Sequence, residues 1–205
     1  TSLTEDDKDY GPLALGSMTH GISPLEMAAA YAIFGNGGKY TTPHCYTTVE
    51  DSSGEIILEK KVNSVQAISS QTAYIMNRVM TQVLNSADGR GTGQGLATNR
   101  MESLGKTGTT SDDKDHWFIG LTPYYVTASW LGYDDPATLT VRHYATHPPT
   151  VAWRKVMNIS QRDLEYKSFD VPNGIVVQDF CVDTGMLANA NCPTREKGYY
   201  TEDNM

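Results

Sequence analysis

The chain reads LGKTGTT at residues 104–110 and continues into an apolar run, WFIGL, at residues 117–121. A short run without charged residues is typical of a buried central strand. Residues 126–130 then alternate apolar with hydroxyl-bearing side chains, which is the pattern of a half-buried strand. Because the connection between these two runs is as short as a turn, the two strands are predicted to pair antiparallel.

The Gly-Lys-Thr core of this stretch has two known chemical uses. A phosphate-binding P-loop needs a glycine five residues before the motif, where this chain has Arg100. The other use is the Lys-Thr-Gly strand of serine penicillin-recognising enzymes. There Lys106, Thr107 and Thr109 would offer a cation and hydroxyls to a substrate carboxylate, and we expect them to line one groove. Gly108 would let substrate backbone approach, and the Thr109 N–H would face a developing oxyanion.

Other local signals outline the rest of the chain. Residues 23–26 (SPLE) form a capping box that begins a helix extending to Phe34. This helix is apolar at nearly every position, so we expect it to be buried on most sides. The remaining predicted elements are a β-hairpin at residues 46–58, a helix at 70–84, a helix from about Thr150 carrying Ala152, Trp153, Val156 and Ile159, and a strand at 174–177.

Composition restricts the class of protein. The 205 residues suffice for one domain or slightly more, and 16 basic against 24 acidic residues give a net charge of -8. So acidic a chain is a poor nucleic-acid binder or anionic-membrane binder. Its longest strongly apolar stretch, Met27–Phe34, is too short to span a bilayer.

Three cysteines are present, at positions 45, 181 and 192, and no two have C-x-x-C spacing. A zinc ribbon or a thioredoxin-type site is therefore not indicated. Cys181 and Cys192 flank a loop-like stretch and could form a disulfide in an oxidising compartment. Spacing alone equally allows two unpaired thiols, so both interpretations stay open.

Five separated motifs closely resemble the transpeptidase domain of class A penicillin-binding proteins, over about residues 16–193. They occur in the family's order, at residues 21–38, 106–123, 130–136, 152–157 and 172–193. The resemblance implies an α/β sandwich of the penicillin-binding and serine β-lactamase type, with a central antiparallel sheet flanked by helices. Residues 1–165 would form the C-terminal half of the transpeptidase domain, incomplete in this chain, and residues 166–205 its C-terminal extension.

The resemblance also implies an activity, that of a serine-type D-alanyl-D-alanine transpeptidase. A serine attacks a peptidoglycan stem peptide, D-alanine leaves, and an amine of a second stem resolves the acyl-enzyme; β-lactams imitate the donor. Lys106 and the Thr109 N–H would be catalytic, and Lys106, Thr107, Gly108 and Thr109 would bind substrate. No cofactor, metal or nucleic acid is implied, and the location would be the extracytoplasmic face of the bacterial membrane, through an upstream anchor.

The family's nucleophile motif, Ser-x-x-Lys, and its Ser-x-Asn motif both lie upstream of Lys-Thr-Gly. Ser-x-Asn is absent from this sequence, and Ser-x-x-Lys occurs only at residues 103–106 and 111–114. Ser103 precedes a strand that would point it away from Lys106, and Ser111 lies in a charged turn, so neither is expected to be the nucleophile. We therefore expect the partner of this chain to be the missing N-terminal half, which would carry the nucleophile.

Two other functions remain as alternatives: a serine β-lactamase, and a non-catalytic penicillin-binding or sensor module. Among the remaining candidate residues, His143 and His147 lack the glutamate of a zincin and are better read as a surface turn. His116 is expected to pack rather than face a cleft. Residues 91–93 (GTG) could form an anion nest, but the resemblance favours a loop beside the active-site strand.

Overall fold

The computed structural model describes residues 2–140 and 147–204. Short 3₁₀ turns occupy residues 6–8, 32–34 and 202–204. The helices and strands are, in chain order, α1 (Tyr10–Leu15), α2 (Pro24–Tyr31), β1 (Lys39–Thr41), β2 (Thr48–Glu50), β3 (Ile56–Glu59), β4 (Ser64–Gln66), α3 (Ser70–Asn85), β5 (Leu104–Thr109), β6 (His116–Leu121), β7 (Val126–Leu131), α4 (Pro148–Ser160), β8 (Ile175–Cys181) and β9 (Arg195–Thr201).

The central sheet has the order β5-β6-β7 and is antiparallel throughout. β6 is the middle strand, and five of its six residues are buried, as the apolar run predicts. Its pairing with β5 places Leu104 opposite Leu121 and Thr109 opposite His116. The α/β fold and the antiparallel pairing of the two predicted strands are confirmed.

Two buried clusters cover the two faces of this sheet. Leu84, Phe118, Trp153 and Met157 form one cluster, and Met80, Leu104, Leu121 and Phe169 form the other. Phe118 and Leu121 are three residues apart on β6, so alternation points them to opposite faces. Helix α3 supplies one residue to each cluster, while α4 packs only on the Phe118 face.

Two glycines allow the aromatic side chains to lie close to the backbone. Gly105 and Gly120 are directly opposite each other in the β5–β6 pair. A Cβ at Gly105 would overlap the Phe118 ring, and one at Gly120 would overlap the Trp153 ring. The two rings meet edge to face, with centroids 5.0 Å apart. This geometry is favourable for aromatic pairs.

Hydrogen bonds to two carboxylates hold the N-terminal segment. Asp7 accepts from the N–H and hydroxyl groups of both Thr4 and Thr19. These hydrogen bonds hold the pKa of Asp7 well below its usual range, and the bond from the Thr4 N–H has the largest effect. Glu26 accepts from the hydroxyl and N–H of Ser2. Together with the bonds of the capping box, the Ser2 hydroxyl lowers the pKa of Glu26 to about 2.

The predicted capping box is confirmed. The Ser23 hydroxyl accepts from the Glu26 N–H, and the Glu26 carboxylate accepts from the Ser23 N–H, each at 3.2 Å. The expectation that this helix is buried on most sides is wrong: no residue of α2 is buried, and Leu25 is 65 % exposed. Helix α2 packs mainly on β7 and β6, so its other sides are uncovered in this chain.

The apolar stripe of α4 also differs from the prediction. Its buried residues are Pro149, Thr150, Trp153 and Met157, whereas Val156 and Ile159 are exposed. The two prolines occupy the first turn of the helix, where the missing N–H groups have no intrahelical partner.

The C-terminal segment forms a hairpin of β8 and β9, although the sequence predicts only the first strand. β9 was missed because REKGYYT lacks apolar alternation. The hairpin is fastened to α3 by an edge-to-face pair, Tyr74 with Tyr199, at 5.9 Å. The Gln71 side chain also donates to the Asn173 carbonyl at 2.9 Å. No helix in the described part of the chain has the length and apolarity needed to cross a membrane.

Replacing Gly120 with Ala should lower the free energy of unfolding by about 1–3 kcal/mol, because the new methyl group would force Trp153 or α4 to move. Urea denaturation measures the change. Gly11→Ala is the matched control, since no atom lies within 4 Å of its added Cβ and its unfolding free energy should not fall. Equal stability of Gly120→Ala and wild type would contradict the close approach of Trp153.

Candidate functional site

The Lys-Thr-Gly sequence lies on β5, at an edge of the central sheet. Among the strands that the structure describes, β5 pairs only with β6, which leaves its other edge open. The strand is buried at its start and exposed at its end: Leu104 and Gly105 are buried, Thr107 and Gly108 are half-buried, and Lys106 and Thr109 are exposed. The buried start anchors the strand, and the hydroxyls and backbone at its other end are accessible to solvent.

The register divides the predicted side chains between two faces. Thr107 and Thr109 lie opposite Phe118 and His116, so the two threonines share one face of the sheet. Lys106 lies opposite Ile119, and alternation places it on the other face. The expectation that all three side chains line one groove is therefore corrected: two hydroxyls share a face, and the lysine does not.

The Lys106 side chain leaves the strand on the face opposite to Thr107 and Thr109, and it is exposed. Its Nζ donates to the carbonyl oxygen of Thr107 at 2.8 Å. The ammonium charge is thus held beside the backbone of Thr107, whose hydroxyl lies on the other face of the strand. No acidic side chain pairs with this ammonium among the described residues.

A hydroxyl from the glycine-rich loop reaches the same strand. The Oγ1 atoms of Thr92 and Thr107 are 2.8 Å apart. The loop is itself fixed to the end of α3, because Gly93 N–H donates to Val83 O at 2.9 Å and Gly95 N–H to Leu84 O at 3.2 Å. The family resemblance places the GTG loop beside this strand, as the structure does, but the sequence does not specify the contact of Thr92 with Thr107, since no local pattern specifies contacts between distant segments.

The turn that follows Thr109 is extensively hydrogen-bonded. The Thr110 hydroxyl accepts from the N–H groups of Lys114 and Asp115, both at 2.9 Å. Asp113 adopts a left-handed conformation (φ +53°), which aspartate tolerates better than most residues. The Asp115 carboxylate in turn accepts from the Trp130 indole at 2.9 Å. This hydrogen-bond network fixes the turn that connects β5 to β6.

His116 packs, as predicted, and is only 6 % exposed. Its ring stacks on His147 with centroids 5.2 Å apart and planes 5° apart, and its Nε2 lies 3.3 Å from Asp113 Oδ1. Burial, and then the neighbouring His116, lower the pKa of His147. The surface-turn interpretation is therefore wrong for His147, which is half-buried at the N-cap position of α4 but makes no side-chain capping hydrogen bond. His143 lies outside the described residues.

The two Ser-x-x-Lys serines are in unsuitable surroundings. Ser103 is 2 % exposed, and its hydroxyl accepts from the Thr98 N–H at 3.3 Å. Ser111 is exposed in the turn after β5, as predicted. Neither side chain is hydrogen-bonded to a lysine in the described structure, so neither shows the base contact of an activated nucleophile.

An ion pair that the sequence did not reveal holds the start of β5. Glu102 pairs with Arg78 of α3, and its other oxygen accepts from the Phe169 N–H at 2.8 Å. Arg78 also lies over the Tyr74 ring, 4.9 Å from its centroid. A cavity of about 300 Å³ adjoins this network, lined by Phe34, Tyr74, Phe169 and neighbours, but it includes no residue of β5.

The candidate disulfide cysteines are adjacent but not bonded in the structure. All three cysteines are free thiols. Contacts of the Cys181 thiol with the Thr184 hydroxyl and then with the Cys192 thiol lower the pKa of Cys181. Cys45 is exposed. The described residues contain no group of three or more His, Cys, Asp or Glu side chains that could hold a metal ion.

Oxidised glutathione should convert Cys181 and Cys192 to an intramolecular disulfide with release of reduced glutathione, because the two thiols are already in contact. Alkylation followed by peptide mapping measures this, and Cys45 should remain alkylatable. Cys45→Ser should behave identically. Glutathione adducts on both residues without a cross-link would contradict the prediction.

Comparisons with known proteins define the family. Residues 6–143 match the family model described as the penicillin binding protein transpeptidase domain, which is more than half of the chain. This chain belongs to that family.

Its curated relatives are much longer proteins. Penicillin-binding protein 1A of Clostridium acetobutylicum is 37 % identical over 175 residues, which are 85 % of this chain and 21 % of the relative. Penicillin-binding protein 1A of Clostridium tetani is 34 % identical over 203 residues, or 93 % and 25 %. The chain thus spans about a fifth to a quarter of the length of these relatives.

Solved structures agree on the fold. Penicillin-binding protein 1A from Haemophilus influenzae superposes with a TM-score of 0.80 at 22 % identity, covering 98 % of this chain and 35 % of the other. The imipenem acyl-enzyme of penicillin-binding protein A from Mycobacterium tuberculosis gives 0.55 at 19 % identity, covering 75 % and 35 %. At these identities the likeness shows a shared fold.

Proposed function

We propose that this chain is the substrate-binding part of a serine-type D-alanyl-D-alanine transpeptidase that takes peptidoglycan stem peptides and β-lactams. The observation that carries the proposal is the edge strand β5, whose open side presents Thr107 and Thr109 on one face. A donor peptide can add to such an edge through its backbone. Its terminal carboxylate then meets two hydroxyls, with the Lys106 charge nearby.

In this mechanism the chain binds and polarises the substrate but does not attack it. The Thr109 N–H donates to the oxyanion that forms at the scissile carbonyl, and Gly108 leaves room for the acyl donor. The two hydroxyls donate hydrogen bonds to the carboxylate and Lys106 offsets its negative charge, so that the scissile bond is held in register with the nucleophile.

The nucleophile of this proposal comes from an N-terminal half of the domain. Ser103 is buried and Ser111 lies in a turn, so neither is suited to the role. The outer edge of β7 pairs with no described strand, and α2 exposes Leu25. A preceding polypeptide would complete the sheet at β7 and cover α2. We place the whole protein at the extracytoplasmic face of the membrane, where peptidoglycan is cross-linked.

Reaction with a labelled penicillin tests whether the nucleophile lies outside this chain. The isolated chain should form no covalent adduct by mass spectrometry, and its Ser103→Ala and Ser111→Ala variants should behave identically, because it lacks an activated nucleophile. The full-length protein should be acylated on a serine outside this chain. A stoichiometric adduct on the isolated chain that Ser103→Ala or Ser111→Ala abolishes would overturn the proposal, as would an unreactive full-length protein.

In the full-length protein, Thr109→Val should slow acylation by carboxylate-bearing β-lactams by about 1–3 kcal/mol in activation free energy, through loss of a hydrogen bond to a charged group. Thr109→Ser keeps the hydroxyl and should retain most of the rate. Stopped-flow or gel-based acylation kinetics provide the measurement. Unchanged kinetics in Thr109→Val would show that this hydroxyl does not contact the carboxylate.

A further inference from the structure

The glycine-rich loop supplies a polar group that the mechanism above does not use. Thr92 is exposed, and its hydroxyl makes one hydrogen bond among the described residues, to the Thr107 hydroxyl at 2.8 Å. Fifteen residues separate the two threonines in sequence. The contact lies on the face of β5 that Thr107 shares with Thr109.

The loop is built to hold Thr92 in place. Gly91 lies so close to the end of α3 that a Cβ there would come within about 2.5 Å of the Gln82 and Val83 carbonyls. Gly93 is buried and donates its N–H to Val83 O. The residues on either side of Thr92 are therefore fixed against α3, and the threonine between them points at the strand.

A hydroxyl carries a single proton, so the direction of this hydrogen bond matters. If Thr107 donates to Thr92, its proton is not available to a substrate carboxylate. If Thr92 donates to Thr107, the Thr107 proton is free to point at the ligand, and the chain of two hydroxyls strengthens that second bond. A bound anion favours the second arrangement, because it attracts the Thr107 proton.

We infer that Thr92 is a positioning residue for the substrate carboxylate, acting through the hydroxyl of Thr107. This inference rests on the proposed function, since it assumes that Thr107 binds that carboxylate. It gives the GTG loop a role in substrate recognition: the loop carries a donor that orients a hydroxyl on the neighbouring strand.

The test compares acylation rates of the full-length protein by a penicillin and by the methyl ester of the same penicillin. Thr92→Val should reduce the rate about fivefold for the acid, which corresponds to roughly one hydrogen bond, and should leave the ester unaffected. Thr92→Ser should restore the wild-type rate. In a Thr107→Val background, Thr92→Val should cause no further loss, because its only route to the substrate is already removed.

Thr47→Val is the matched control, because Thr47 is exposed before β2 and its hydroxyl has no partner among the described residues. Thermal unfolding confirms that each variant is folded. A wild-type rate in Thr92→Val, or equal losses for acid and ester, would overturn the inference while leaving the proposed function intact. Failure of the wild-type protein to form any adduct would overturn the proposed function and the inference with it.

Discussion

The close approach of two aromatic rings to a glycine pair is the constraint on which the rest of this structure depends. Phe118 covers Gly105, and Trp153 covers Gly120, at one cross-strand position of β5 and β6. The contact fixes the depth at which α4 sits on the sheet and brings α3 close enough for Leu84 to join the cluster. Dense packing of this kind transmits small displacements, so the position of β5 follows from it.

The candidate site lies at the exposed end of β5, the strand whose buried start packs against this aromatic cluster. β5 is buried where it passes the aromatic cluster and becomes exposed at its end, near the hydrogen-bonded turn. Its functional groups thus belong to a strand that is fixed at both ends, by the cluster and Glu102 on one side and by Thr110 on the other. Binding sites placed on rigid elements hold their geometry better than sites on free loops.

Local patterns predicted the elements that local physics determines. The capping box at Ser23, the α3 helix and the buried strand β6 are all present near the expected positions. The sequence could not predict features that depend on distant partners. The exposure of α2 depends on what packs against it, and the contact of Thr92 with Thr107 depends on how the loop folds back onto α3. The opposite faces of Lys106 and Thr107, by contrast, follow from strand alternation alone, which the expectation of a single groove overlooked. β9 lacks apolar alternation, and its pairing with β8 supports its extended conformation.

The two oxygens of Glu102 contact residues that are made at very different times during synthesis of the chain. One oxygen pairs with Arg78, 24 positions earlier, and the other receives the Phe169 N–H, 67 positions later. A chain emerging from the ribosome can form the first contact long before the second. Until Phe169 has been synthesised, only the Arg78 contact of Glu102 is available to hold the start of β5. A nascent chain stalled before Phe169 would contain the whole Lys-Thr-Gly strand but would lack one of the two contacts of Glu102.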